Sequence, residues 1–374
     1  MSEIKHIHVV TFHVPFPPNY GGAIDVFYKL KALIKAGYSI ILHTFLYDGK
    51  RSVELEEMCE TVYYYKRDTS LLSQMSMNPF IVQSRKNEKL IEDLLKDNYP
   101  ILFEGLHTCA FLNDKRLRNR KKYVRMHNIE HDYYRMLAIQ SSWGIKKVFY
   151  YLESLKLRRY QSILQYAERI LPISQADTDY LSKMFPKKDV RLLRCFFDDS
   201  SAITEVSSEK YILYHGNLAV AENVTAAMFI MKEVIPLLST DHKFIFAGRN
   251  PSPVILSEAV KHTNISVIAN PDERQMNNLL YNATVNILIT FQPTGIKLKL
   301  LNTLCKSRGY CLVNNEMLQG NDLACFCKVV NNAREMSSAI DLLMDKSRED
   351  VNLEERIKGV RKLGYNDISP IVSV

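Results

Sequence analysis

The alternation of short apolar runs with glycine-bearing loops and helical patterns constrains this chain most. Residues 4–14 read as a strand, 15–22 as a Pro- and Gly-rich loop, 23–36 as a helix closed by Gly37, and 38–47 as a second strand. Strand, loop, helix and strand make a βαβ unit, and such units assemble parallel sheets. The series continues with strands at 99–104, 122–126 and 169–173, an aromatic and basic helical segment over 132–167, and Ser174 as the N-cap of a further helix. From 198 to 210 the composition shifts to Asp, Ser and Glu, as in an interdomain linker. The alternation then restarts, with strands at 211–214, 243–247, 265–269, 285–290 and 310–314 and helices at 223–238, 272–281, 336–344 and 353–363. Two such series within 374 residues predict an α/β protein of two Rossmann-like domains facing across a cleft. The expected divisions are 1–197, a linker at 198–210, a second domain at 211–352, and a C-terminal helical segment at 353–374. Ligands of open α/β sheets bind at the C-terminal ends of the strands.

Residues 291–304, Phe-Gln-Pro-Thr-Gly-Ile-Lys-Leu-Lys-Leu-Leu-Asn-Thr-Leu, carry the strongest functional signal. They follow a buried-strand pattern, turn through Pro293 and Gly295, and enter a helical pattern. Lys297 and Lys299 fall in its first turns. Lysine there works against the helix dipole, whereas a diphosphate at the free N–H groups would account for it. The alternative is a solvated basic helix start.

The hydrophobic fraction of 47% and charged fraction of 24% are those of a soluble globular protein. The longest apolar runs fall far short of the roughly 20 residues of a spanning helix, and no signal peptide is visible. Seven cysteines, an odd number scattered through apolar segments, suggest reduced thiols and a cytoplasmic location. Cys325 and Cys327 lack a second Cys/His pair at zinc spacing, so neither a metal nor another cofactor is expected. The net charge of +8 suits phosphorylated substrates or peripheral contact with an anionic membrane on its inner face. Part of it lies in residues 114–122, which also read as a solvated loop between two strands. With no recognition motif and no aromatic stacking pattern on a basic face, nucleic acid is not an expected partner.

The layout resembles the GT-B glycosyltransferases, in particular the retaining family 4 enzymes, over nearly the whole chain. Gly21-Gly22 resembles that family's N-terminal glycine pair, beside the donor phosphates and the acceptor. Val124-Arg-Met-His-Asn-Ile-Glu-His is similar to the segment carrying the family's active-site histidine, which matches His127. Tyr214-His-Gly-Asn-Leu, Phe246-Ala-Gly-Arg and 291–304 resemble its three nucleotide-side segments. The His127 and Thr294 segments are also similar to a mannosyltransferase-like subgroup of Bacteroidetes-type bacteria.

The resemblance implies transfer of a sugar, with retention, from a GDP- or UDP-linked donor to a saccharide or lipid-linked acceptor in bacterial surface glycan synthesis. It also implies that the C-terminal helix crosses back to the N-terminal domain. His127, Lys297 and Lys299 are the candidate catalytic group. Gly216, Asn217, Arg249, Thr294, Gly295, Ile296 and Asn302 are the candidate donor site, and Gly21, Gly22, Glu104, His107 and Glu130 the candidate acceptor and phosphate loops. Glu130 and His131, one turn from His127, either share its site or cap the next helix. The chain departs from the family where Asn217 and Glu222 replace the usual Arg and Lys, and where Thr294 and Asn302 replace two glutamates. Lys297 and Lys299 are positioned to restore the missing positive charge. The alternatives are a non-catalytic partner protein and a nucleotide-sugar epimerase of the same architecture.

Overall fold

The computed structural model of the chain describes residues 5–18, 20–47, 49–141, 144–200, 206–291 and 297–372. It divides into two compact units, one of residues 1–196 with 364–374 and one of residues 197–363.

Seven strands form the first sheet: β1 Lys5–Val10, β2 Tyr38–Leu46, β3 Thr61–Lys66, β4 Ile101–Glu104, β5 Lys122–Met126, β6 Arg169–Pro172 and β7 Asp189–Val190. Their spatial order is β3-β2-β1-β4-β5-β6-β7, and every pairing is parallel. Six form the second: β8 Ile212–Asn217, β9 Phe244–Arg249, β10 Ile265–Ala269, β11 Val285–Leu288, β12 Tyr310–Val313 and β13 Lys328–Val329. The order there is β10-β9-β8-β11-β12-β13, again parallel throughout. In each sheet the winding direction reverses once, between β1 and β4 and between β8 and β11. A crevice opens beyond the strand ends at such a reversal.

The apolar runs form strands because both faces of the first sheet are covered. On one face Val9, Leu42 and Leu102 pack against Val26, Leu30 and Leu33 of the helix Gly21–Lys35. On the other, Phe45, Phe103 and Val124 pack against Leu90 and Leu94 of the helix Glu88–Leu94. Full burial of a leucine such as Leu30 stabilises the unit by about 1.5–3 kcal/mol. In the second unit, Tyr214, Phe246 and Ile287 pack against Ile340 and Leu343 of the helix Ala333–Asp345.

Some boundaries differ from the sequence reading. β3 was not anticipated, because Tyr63-Tyr64-Tyr65 fits strand and helix equally well. The expected segment 132–167 is two helices, Glu130–Gln140 and Ile145–Tyr160, with Gly144 at φ 149° ahead of the second. The start of the expected linker belongs to the second unit, where Asp198 pairs with Lys306 at 2.7 Å and Asp199 with Arg361 at 2.6 Å. The helix Leu353–Lys362 also stays there, because Arg356 is buried and donates to the carbonyls of Leu304, Gly309 and Ser307. Only the chain beyond it joins the first unit, where Ile371 enters the core and Pro370 O accepts from Arg169 Nη1 at 2.7 Å. Among the described residues no helix is long and apolar enough to cross a membrane.

Candidate functional site

In the first unit the ends of β1, β4 and β5 bring together most of the residues singled out on that side. His127 follows β5 and hydrogen-bonds Glu104, the last residue of β4, through Nε2 at 2.9 Å. Three charged groups that sequence reasoning missed complete this cluster. Lys29 Nζ lies 3.1 Å from Asp25 Oδ2 and 2.9 Å from Glu104 Oε1, and Arg125 Nη2 lies 3.2 Å from Asp25 Oδ1. The signal was present: Asp25 and Lys29 stand four apart on the apolar face of their helix. Burial works against both carboxylates, yet Arg125 and then Lys29 hold Asp25 well below the usual range. Lys29, with the His127 hydrogen bond, likewise holds Glu104 below it.

Among the described residues, Asp25, Glu104 and His127 have ligand atoms close enough to share a metal ion, within 4.8 Å of one another. The Lys29 ammonium already bridges the two carboxylates there, and Arg125 supplies a second positive charge.

A second group lies alongside. The Phe12 ring stacks on His107 at 5.0 Å and meets His127 edge-on at 5.4 Å. Gly105 makes room for the His107 ring: its φ is 74°, and a Cβ there would sit 2.9 Å from His107 Nδ1. Glu130 is buried in the first turn of the helix Glu130–Gln140, with Oε1 3.9 Å from His107 Nδ1. Neither atom has a hydrogen-bond partner, and His13 Nδ1 nearby also lacks one. Burial pushes the Glu130 carboxyl up to about 8, against smaller pulls from Asn128 and Arg85. Burial, then the Arg85 charge, keeps His107 neutral. Arg85 is itself occupied by the carbonyls of Phe12 and Ile81 and the Tyr47 hydroxyl. Gly21 and Gly22 form the first turn of the helix after β1, and a Cβ on Gly22 would approach Phe12 and Tyr20 to 3.2 Å. His131 points elsewhere, to Gln161 Oε1 at 3.1 Å.

In the second unit Lys297 immediately precedes the helix Leu298–Lys306, and Lys299 lies in its first turn. Lys299 is half-buried against Asn223, with Nζ 3.2 Å from Oδ1, and sits 5.7 Å from the Tyr214 ring centroid. Burial pushes its ammonium down to about 8, with Glu222 raising it and Lys297 lowering it. Lys297 Nζ lies 3.4 Å from Glu222 Oε1, and Thr290 Oγ1 also donates to that carboxylate. Glu222 therefore neutralises part of the charge that the two lysines were expected to restore.

Asn302 and Thr303 share a helix face with Lys299. Thr303 Oγ1 pairs with His215 Nε2 at 2.9 Å, joining this helix to the end of β8, while Asn302 Oδ1 is buried with no partner. His215, pushed down to about 3 by burial and the Lys299 charge, is a neutral ring. Gly216, Asn217 and Arg249 end β8 and β9 in register, with Asn217 and Arg249 exposed. Thr294, Gly295 and Ile296 lie outside the described residues.

The basic run 114–122 is only partly an open cationic surface, with Lys115, Arg118 and Lys121 exposed. Arg120 and Lys122 are buried and donate to backbone carbonyls, and Arg116 pairs with Asp114 at 2.8 Å.

No family model matches the chain. It is 23% identical to an uncharacterized 44.6 kDa protein in the cps region of Klebsiella pneumoniae, across 97% of this chain and 94% of that protein. Among solved structures it is similar to the Escherichia coli trehalose-6-phosphate protein bound with UDP-2-fluoro glucose (13% identity, TM-score 0.63, 97% of this chain and 96% of that one). A sucrose-phosphate synthase from Thermosynechococcus elongatus matches with 14% identity and a TM-score of 0.61, covering 96% and 98% of the two chains. The fold is GT-B. At these identities the likeness establishes architecture alone.

Proposed function

We propose that this protein is a retaining glycosyltransferase of bacterial surface-polysaccharide synthesis, taking sugar from a GDP- or UDP-linked donor to a saccharide or lipid-linked acceptor in the cytoplasm. The observation that carries the proposal is Lys299, half-buried with Lys297 at the start of a helix tied to the end of β8. Helix N–H groups and fixed cations there suit a leaving diphosphate. The relative in a cps region and the structural neighbour bound with UDP-2-fluoro glucose support the same reading.

In this mechanism the bond from the sugar to the diphosphate breaks, and the acceptor oxygen bonds to the same face of the sugar. The acceptor proton passes to the departing phosphate oxygen. Lys297 and Lys299 stabilise the charge that develops on the diphosphate, with the Gly216 turn and Arg249 beside it. Asn302, whose carboxamide oxygen is unpartnered, is suited to a ribose hydroxyl. His127, oriented by Glu104, positions the sugar or acceptor and need not act as a base. No metal is required if the lysines and backbone N–H groups supply the positive field.

Glu222 favours a second reading, a non-catalytic partner protein, because its carboxylate already pairs with Lys297. Calorimetric titration with GDP, UDP and their sugar conjugates, with and without magnesium, separates the two. Selective binding of one nucleotide without metal supports the transferase, whereas binding of none supports the partner protein.

A further inference from the structure

The helix Ile145–Tyr160 is built inside out. Its buried residues are Glu153, Ser154 and Leu157, while Ile145, Val148, Leu152 and Leu155 face solvent, Ile145 at 89% exposure. Spacings of three and four place those four on one ridge. The buried Glu153 is a structural anchor: it accepts from Phe80 N at 2.6 Å and from Lys156 Nζ at 2.9 Å. It thereby holds the short helix Phe80–Gln83 against the long one, where the Phe80 and Phe149 rings meet edge-on at 6.4 Å. The chain enters Phe80 from a second exposed apolar group, Leu71, Leu72, Met75 and Met77, with Leu72 at 84% exposure.

Charge identifies what this surface fits. The helix carries Lys146, Lys147, Lys156, Arg158 and Arg159 against Glu153 alone, and that acid is buried. Arg159, four residues after Leu155, continues the ridge, and Arg158 lies beside it, both exposed. A second copy docked on the ridge would oppose like charges. A bilayer of anionic lipid offers both an apolar phase and negative headgroups. We propose that this face docks on an anionic membrane surface, with Ile145, Val148, Leu152 and Leu155 entering the headgroup–acyl boundary and Arg158 and Arg159 meeting lipid phosphates. This surface is distinct from the basic run 114–122, and the inference does not depend on the transferase reading. The adjoining helix Glu130–Gln140 begins three residues after His127, so the docked face directly follows the candidate acceptor loop in the chain.

The test is flotation of the full chain with vesicles of phosphatidylglycerol and phosphatidylcholine at low salt, against phosphatidylcholine alone. The expected result is binding to the anionic vesicles only, weakened by salt. Replacing both Ile145→Glu and Leu152→Glu should weaken it about tenfold or more, with circular dichroism and nucleotide titration unchanged. Replacing Arg158 and Arg159 by Gln should weaken it about fivefold per cation removed. No flotation of the wild type, or unchanged flotation of the Ile145→Glu/Leu152→Glu protein, overturns the proposal. So does a wild-type dimer in light scattering that the same double substitution converts to monomer, which would make a second copy the occupant. Nucleotide titration reads the transferase proposal separately.

Discussion

Lys299 is the residue on which the donor proposal can be read most directly. Its ammonium is held at about 8, so it is charged below that pH and neutral above it. Affinity for GDP or UDP should therefore fall as pH rises through about 8, and Lys299→Arg should flatten that fall. Lys299→Ala or Lys297→Ala should weaken nucleoside diphosphate binding about tenfold or more while leaving nucleoside binding nearly unchanged, because a charge-assisted contact contributes roughly 1.5–3 kcal/mol. Equal losses for nucleoside and diphosphate would remove both lysines from the phosphate site. The two lysines were legible in the sequence because they break a local rule, cations at a helix start. Their partner was not: Glu222 stands 75 residues before Lys297, and only the sheet brings them together. Asp25 and Arg125, 100 residues apart, escaped the sequence reading for the same reason.

At the scale of elements, the close approach of β8 and β9 is the sharpest constraint. A Cβ on Gly248 would lie 1.7 Å from Gly216 O, and a backbone carbonyl in a parallel ladder cannot swing aside as a side chain can. Gly248→Ala should destabilise the second unit by at least about 3 kcal/mol, read as a lower urea midpoint or loss of soluble protein. A midpoint within error of wild type would show that the two strands separate easily. Strands with continuous apolar runs were readable because burial on both faces removes the need for alternation. The two-residue strands β7 and β13 were not, since a pair of residues carries no period.

Across the first unit as a whole, a buried hydrogen-bonded chain crosses three strands. Asp97 meets His8 at 2.8 Å, His8 meets His43 at 2.8 Å, His43 meets Tyr65 at 2.8 Å, and Tyr65 donates to Asp93 at 2.9 Å. Burial holds His43 and His107 well below their usual pKa and pushes His13 down to about 3. The unfolded chain protonates such rings near pH 6.5, so below that pH it binds protons that the folded unit excludes, and stability falls by up to about 1.4 kcal/mol per pH unit for each ring. Glu130, raised to about 8, acts in the opposite sense between about pH 8 and 4.3. The histidines outnumber it, so the urea midpoint of this unit should drop between pH 7 and 5, and drop more steeply in Glu130→Gln. A flat midpoint would mean that the folded unit takes up the protons. The sequence by itself determined two βαβ series, the polar stretch near which they divide, and the glycines and lysines at their loop ends, because periodicity and turn chemistry act over a few residues. Tertiary structure alone decided that Asp25, Lys29, Glu104, Arg125 and His127 share one buried cluster, and that the helix Ile145–Tyr160 turns its apolar ridge outward. Both depend on which distant segments pack together, and local pattern carries no record of that.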